Sequence, residues 1–431
     1  MPRKLAFEVL KKAEQSSTYS NIAIDAALKN STLGAADRAL ASIITLGVTE
    51  RRITLDYYID SLASSPEKID TDTRIILRIG IYQLLYLNKI PSYAAVNEAV
   101  NMAKRQTRGF VNAIMRSFLR RRDEIKFPKD RIENMSLTYS YPEELCELFV
   151  EIYGEERART VLDFYNKPPK MTLRVNTLKV SLERFAEILK DNGIESEGSP
   201  HVPDALIISG MDFAAIPYSD EGYFFVQDVA SQICVEATGA TAGEFVIDTC
   251  ACPGSKSFGM AIKMENKGRI LSCDLHKSKL SLVEKGADRL SIDIIETREC
   301  DGRKNVAELN GKADRVLCDV PCSGLGVIGK KPEIRYKRLD DIRRLPEIQL
   351  DILRNASRYV KVGGALIYST CTVIPEENEL NIEKFLRENP DFEPIDFAFG
   401  DIRSRDGYIT LHPDTHGTDG FFVCKMIRKG N

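Results

Sequence analysis

Apolar residues recur at three- and four-residue intervals through the first 125 positions of the chain. Ile75, Ile76, Ile79 and Tyr82 form one such run, Val96, Val100 and Ala103 a second, and Val111, Ile114, Met115 and Phe118 a third. This spacing lines one face of a helix. Breaks fall at Asn30–Gly34, Ser64-Ser-Pro66 and Ile90-Pro91, where Gly and Pro interrupt the pattern. The stretch predicts a small helical bundle whose last helix ends in the basic cluster Arg120-Arg121-Arg122. Tyr141-Pro142 predicts a further helix start, and Lys167-Pro-Pro-Lys170 a linker. Alternation in Met171–Asn176, Ala205–Ser209 and Gly222–Asp228 predicts three strands, with a helix from Leu182 to Leu189 after the first.

From Gly243 onward the pattern changes. Short apolar runs at 245–249, 269–274, 292–297, 315–319 and 365–370 predict strands, separated by helical stretches that include 277–289 and 342–359. Such alternation predicts an α/β domain with a parallel sheet covered by helices on both faces. A last strand, 420–426, follows a turn at Asp419-Gly420 and is free to insert antiparallel. At 431 residues the chain exceeds a single core. Three units are expected: helices over 1–127, linker helices and a small α+β unit over 128–230, and the α/β domain over 231–431.

Composition adds a compartment and a polarity. With 43% hydrophobic and 29% charged residues the chain reads as ordinary globular protein. No apolar stretch suits a signal peptide or a membrane helix. Ten cysteines without disulfide-scaffold or zinc spacing fit a reducing cytoplasm, so no metal and no membrane are expected. Cys146, Cys234, Cys273, Cys318 and Cys424 read as small buried hydrophobes. Net charge is −3, yet residues 1–130 carry 21 basic against 14 acidic side chains, leaving a basic start on an acidic body. That asymmetry suggests a polyanionic partner at the N-terminal end.

The unusual residues fall at strand ends, where open α/β sheets bind ligands. Asp248-Thr-Cys250-Ala251-Cys252-Pro253-Gly254-Ser255-Lys256-Ser257 follows the first strand of the domain. Its small residues suggest a ligand approaching backbone N–H groups at a helix start. Asp274 ends the second strand, suited to ribose hydroxyls; Asp301 follows the third and could accept from an adenine amino group. A dinucleotide fingerprint and a phosphate loop are both incomplete here. Cys322 and Cys371 end two further strands.

Two thiols beside an electrophilic methyl donor suit methylation at a pyrimidine carbon. Carbon 5 of cytosine becomes nucleophilic only after a thiolate adds to carbon 6, and its proton must later leave. One cysteine can serve as nucleophile and a second group as base. Asp319 could donate to ring nitrogen 3. Lys330, Lys331, Arg335, Lys337 and Arg338 follow the Cys322 loop and read as phosphate contacts. The target base must be unpaired or flipped out.

At these residues the chain resembles the RNA cytosine-carbon-5 methyltransferases of the NOL/NOP/Sun family. Asp248–Ser257 resembles the family's donor loop, Asp319-Val-Pro-Cys-Ser-Gly-Leu-Gly326 and Tyr368-Ser-Thr-Cys371 its two cysteine motifs, with Pro375-Glu-Glu-Asn378 after the second. Asp419-Gly-Phe-Phe422 resembles the terminal strand, and Leu173-Arg174-Val-Asn176 a motif of the family's small RNA-binding unit. Ala36–Ala39, Ile76–Ile79, Val96–Val100 and Gly109–Arg116 are similar to NusB-like RNA-binding domains.

The resemblance implies a Rossmann-like class I methyltransferase sheet. It also implies S-adenosylmethionine held by Cys250–Lys256, Asp274, Asp301 and Asp319. Cys371 would be the nucleophile and Cys322 the group that releases the adduct. The NusB-like extension implies 16S ribosomal RNA as partner, touched by Arg120, Arg121, Arg122, Arg174, Lys330, Lys331 and Arg335; a monomer is expected. Transfer RNA as substrate, or a non-catalytic RNA-binding factor, are the alternatives. Cys252 and Ser255 depart from the family's Ala and Gly. A Cβ at Ser255 would crowd the ligand or forbid positive φ, so weaker donor binding is expected.

Overall fold

The computed structural model describes residues 2–16, 20–29, 31–208 and 216–430. Asn30 of the first expected break and Ser209 of the second expected strand lie outside them. Two compact units emerge, one of residues 1–167 with 328–339, the other of 168–327 with 340–431.

The first unit is helical. Helices Thr71–Tyr86 and Arg108–Arg121 bury Ile75, Ile79, Val111, Met115 and Phe118 in one core with Ile44 and Leu55. Asp70 caps the first of these by accepting the Thr73 amide. Helices Arg131–Tyr139, Glu143–Tyr153 and Glu155–Tyr165, expected to go with the following unit, belong here instead. Tyr141 and Phe149 are fully buried, and the Thr54 hydroxyl donates to the Leu137 carbonyl at 2.7 Å.

The basic segment after Cys322 also lies in this unit, which corrects the expectation for Arg335. Its side chain is 1% exposed. The guanidinium donates to the carbonyls of Glu50 (2.9 Å) and Ser140 (3.1 Å) and lies over the Tyr141 ring at 4.1 Å. A fork that satisfies two buried carbonyls is unavailable to RNA. Arg335→Ala is expected to cost about 3 kcal/mol by orphaning those acceptors. Arg335→Lys should recover less than half, because an ammonium lacks the planar fork. Urea unfolding followed at the helical signal reads both variants, and equal stability of all three proteins would contradict the assignment.

Among the described residues, the second unit contains two main sheets and a two-stranded hairpin. Strands β1 (Met171–Val175), β2 (Ser196–Gly198), β3 (Ala205–Ile208) and β4 (Phe224–Val226) pair antiparallel in the order β2-β3-β1-β4. Helix Leu182–Asp191 packs Phe185 and Leu189 onto Leu173, Val175 and Phe224 of this sheet. Arg174 points the other way. It is 1% exposed, paired with Glu236 at 2.9 Å and close to Asp204 and Gln227. The expectation that Arg174 contacts RNA is therefore corrected: it is an internal strut.

The larger sheet comprises β5 (Phe245–Asp248), β6 (Arg269–Asp274), β7 (Ile295–Glu299), β8 (Ala313–Asp319), β9 (Val360–Thr370), β10 (Phe392–Pro394), β13 (Tyr408–Leu411) and β14 (Phe421–Arg428). Its order is β10-β14-β9-β8-β5-β6-β7, with β13 beside β14; a small hairpin, β11 (Ala398–Phe399) and β12 (Ile402–Arg403), stands apart. Strands β5 to β9 run parallel, and β14 joins antiparallel beside β9. Alternate residues feed opposite cores: Leu317 and Ile367 one side, Val316 and Leu366 the other. The five parallel neighbours β9-β8-β5-β6-β7 thus aim their carboxyl ends at one edge, where the chemically unusual residues of the domain stand.

Candidate active site

Cys322 follows β8 and Cys371 follows β9, adjacent parallel strands, and their sulfurs lie 3.2 Å apart. Neither cysteine is in a disulfide, and both are partly buried. The backbone holds them there. The Gly326 amide donates to the Cys371 carbonyl at 3.0 Å, and the Gly420 amide to the Gly326 carbonyl at 2.8 Å. A Cβ on Gly326 would sit 1.8 Å from the Gly420 oxygen, so only glycine permits this approach.

Lys256 and Asp319 form the electrostatic centre. Lys256 Nζ lies 2.6 Å from Asp319 Oδ2 and 5.3 Å from the centre of the Phe421 ring. Ser369, on β9, donates to Asp319 Oδ1 at 2.7 Å. Burial works against the Lys256 charge. Asp319, with smaller contributions from Cys234 and Cys371, outweighs it and raises the pKa of the ammonium. Cys322 moves the same way for a different reason. Its hydrogen bond to Cys371, burial, and the negative charges of Cys371, Glu377 and Asp319 hold its pKa well above the usual thiol range. The raised pKa favours the proton on Cys322, while the Lys256 cation interacts electrostatically with Cys371.

The loop after β5 is anchored rather than open. The Thr249 amide bonds Leu317, the Ala251 amide bonds Cys273, and the Gly254 amide bonds Ala251. Those three amides face protein. What remains toward the edge is the start of helix Ser255–Lys263 and the side chains around it. Gly254 takes the left-handed conformation (φ 112°), and a Cβ there would lie 2.5 Å from Phe258. Ser255 is the first helical residue and needs no positive φ, so the backbone reason for weaker donor binding falls away.

Two carboxylates lie farther along the edge. Asp274 Oδ1 accepts the His276 amide at 2.9 Å, and the Cys252 thiol approaches the same carboxylate. Burial and Asp274 push that thiol up to about 12. Asp301 accepts both Nε and an Nη of Arg303 at 2.9 Å, which holds its carboxyl below the usual range. Behind them, Asp248 is 1% exposed, and its Oδ1 has no hydrogen-bond partner among the described residues. Oδ2 accepts the Ser257 hydroxyl at 2.7 Å. Burial pushes Asp248 up to about 7, partly offset by the Ser257 bond.

The raised Asp248 pKa carries a stability signature. A carboxyl whose folded pKa exceeds its unfolded value binds more protons when folded, so stability falls as pH rises from about 4 to about 7. Between pH 5 and 8 the wild type should lose roughly 3 kcal/mol relative to Asp248→Asn. Urea unfolding across that range checks it; a difference independent of pH would mean Asp248 is already ionised at pH 5.

Residues 238–427 match the family described as 16S rRNA methyltransferase RsmB/F, and residues 1–120 match the NusB family. Residues 141–212 match the ferredoxin-like domain of RsmF/B-like methyltransferases. The Bacillus subtilis (strain 168) protein named probable ribosomal RNA small subunit methyltransferase B is 38% identical, covering 99% of each chain. A Synechocystis relative of the same name is 34% identical over 98% of each. The chain belongs to the RsmB family. Among solved structures, PH0851 covers 99% of both chains at 29% identity with a TM-score of 0.83. A methyltransferase homologue from Pyrococcus horikoshii covers 70% of this chain and 100% of its own, at 28% identity and a TM-score of 0.61.

In this RsmB-family chain, the structure gathers Cys322, Cys371, Asp319 and Lys256 into one cluster, with Asp274 and Asp301 following across the sheet edge. Arg120, Arg121, Arg122 and Lys331 are exposed on the helical unit, and Lys330 is half-buried there. Cys146, Cys234, Cys273, Cys318 and Cys424 are buried, as expected of packing cysteines. His416 Nδ1 accepts the His412 amide at 2.9 Å, a local helix-end contact. Among the described residues no group of His, Cys, Asp and Glu could hold a metal ion, and no helix is long and apolar enough to cross a membrane. Sequence reasoning passed over Ser369, Ser257, Gln349 and Glu377. Ser257, Ser369 and Glu377 lie inside the motifs Asp248–Ser257, Tyr368-Ser-Thr-Cys371 and Pro375-Glu-Glu-Asn378; Gln349 carried no signal.

Proposed function

We propose that this rRNA methyltransferase uses S-adenosylmethionine to methylate carbon 5 of a cytosine in 16S ribosomal RNA through a covalent Cys371–cytosine adduct. The carrying observation is the 3.2 Å thiol pair beside the Lys256–Asp319 ion pair. The edge fits the donor chemically. Asp274 and Asp301 supply acceptors for ribose hydroxyls and an amino group, and the tight turn at Gly254 leads into a helix start. Bound there, S-adenosylmethionine supplies a sulfonium methyl group, the electrophile that the activated ring requires.

The chain's own residues manage the thiols and the protons. Cys371 Sγ, its negative charge favoured by Lys256 and by the Cys322 proton, bonds to carbon 6 of the ring. Asp319, once protonated, donates to ring nitrogen 3 as charge accumulates there. In the free site both of its oxygens are engaged, by Lys256 and Ser369, so base entry must rearrange that contact. After Cys371 becomes a thioether it is no longer an anion, and one force holding the proton on Cys322 disappears. Cys322 can then release its proton to solvent and take the carbon 5 proton as a thiolate. Ring nitrogen 3 returns its proton to Asp319 as the carbon 5–carbon 6 double bond re-forms, and the carbon 6–sulfur bond breaks to regenerate the Cys371 thiolate.

The test incubates the protein with donor and, separately, 16S ribosomal RNA, small-subunit particles and transfer RNA, then maps 5-methylcytosine by bisulfite sequencing. A single modified cytosine in 16S RNA is expected. Modification of transfer RNA alone would reassign the substrate, and no modification of any RNA would overturn the reading.

A further inference from the structure

Directly behind the thiols lies a buried polar assembly that the mechanism does not use. Glu377, Ser323, Gln349 and Thr372 are all fully buried. Glu377 Oε2 accepts the Ser323 amide at 2.9 Å and the Gln349 amide group at 2.7 Å. The same Gln349 nitrogen donates to the Pro321 carbonyl at 3.0 Å. Pro321 and Ser323 are the chain neighbours of Cys322, so Glu377 and Gln349 grip that cysteine from both sides. The Ser323 and Thr372 hydroxyls lie 2.7 Å apart, joining the residue after Cys322 to the residue after Cys371. Tyr368 donates to the Glu377 carbonyl at 2.6 Å, and Asn378 to that of Thr372 at 3.1 Å.

A purely structural clamp needs acceptors here, not a charge, and a buried carboxylate is a costly way to supply them. The charge is placed asymmetrically. It adjoins the amide following Cys322, while the Lys256 ammonium acts on Cys371. We propose that Glu377 is a positioning residue that gives the two cysteines their different roles: its carboxylate, anchored beside Cys322, opposes negative charge on that sulfur and leaves Cys371 as the thiol that ionises.

Cys371, Glu377 and Asp319 all oppose the ionisation of Cys322. Burial raises the pKa of Glu377, while bonds from Ser323, Gln349 and Thr372 favour the carboxylate. The inference rests on the functional reading above for its meaning, but it is a statement about thiol acidity and is tested without RNA or donor. An enzyme that methylated nothing could still display it.

Site-resolved alkylation of the full-length protein by iodoacetamide, quantified by mass spectrometry from pH 6 to 10, reads each thiol. In the wild type Cys371 should react first. Glu377→Gln keeps the size and an acceptor for the Ser323 amide but removes the charge; the Cys322 midpoint should then fall by about one pH unit while that of Cys371 stays. Glu377→Asp should restore the wild-type order. Unchanged profiles in Glu377→Gln, or equal shifts of both cysteines, would overturn the proposal. Should Glu377→Gln fail to fold, Cys371→Ala decides it. Cys322 alone should retain a midpoint above the roughly 8.5 of a free thiol, because burial, Glu377 and Asp319 all remain. A midpoint at or below that value would overturn the proposal.

Discussion

Cys371→Ala should abolish both turnover and the covalent RNA–protein species, whereas Cys322→Ala should let that species accumulate. The two outcomes follow from the asymmetry of the pair. Without Cys371 no thiolate can add to carbon 6, and carbon 5 stays too weak a nucleophile. The loss should reach 10⁴-fold or more, roughly as for other enzymes deprived of a covalent nucleophile. Without Cys322 addition still occurs, since Lys256 continues to favour the Cys371 thiolate. The carbon 5 proton then lacks its acceptor, and release should slow by about 10²–10⁴-fold, the range of a lost general base. Denaturing gels with labelled 16S RNA distinguish the variants. A trapped species with Cys371→Ala, and none with Cys322→Ala, would reverse the roles.

Lys256→Met should have the next largest effect, and it should separate catalysis from folding. Lys256 is 12% exposed and its partner Asp319 25%. Removing the ammonium strands the carboxylate and costs about 3 kcal/mol in stability. It also removes the cation acting on Cys371, so activity should fall by about 10²–10³-fold, the scale of one lost preorganised electrostatic partner. The optimum for alkylating Cys371 should move to higher pH. Pairing Lys256→Met with Asp319→Asn should restore most of the stability but none of the activity. Recovery of activity in the double variant would show Lys256 to be a structural counter-ion only.

The first prediction was already within reach of the sequence, through the resemblance that names Cys371 as nucleophile and Cys322 as the releasing group; the second needed the fold. Cys322 and Cys371 were recognisable because each ends an apolar strand in an unusual local motif. The mutual 3.2 Å approach depends on β8 and β9 being neighbours and on Gly326 passing against Gly420. Lys256 could be placed in a loop, but its partner Asp319 lies 63 residues away. Arg174 and Arg335 show the opposite failure. A cation in a basic or RNA-binding motif looks exposed until its acceptors are known, and those of Arg335 lie 195 and 285 residues away.

By itself the amino-acid order determined what short-range periodicity can encode: a helical start, an α/β finish with strand limits within a few residues, and the loops carrying reactive groups. These are properties of segments of about ten residues, set by which positions are apolar. Tertiary structure alone decided which charges are struts, that helices 131–165 and segment 328–339 join the helical unit, and that Glu377 stands behind Cys322. Hydrogen bonds and ion pairs are made between whichever groups the fold brings within about 3 Å, and burial sets how strongly each acts.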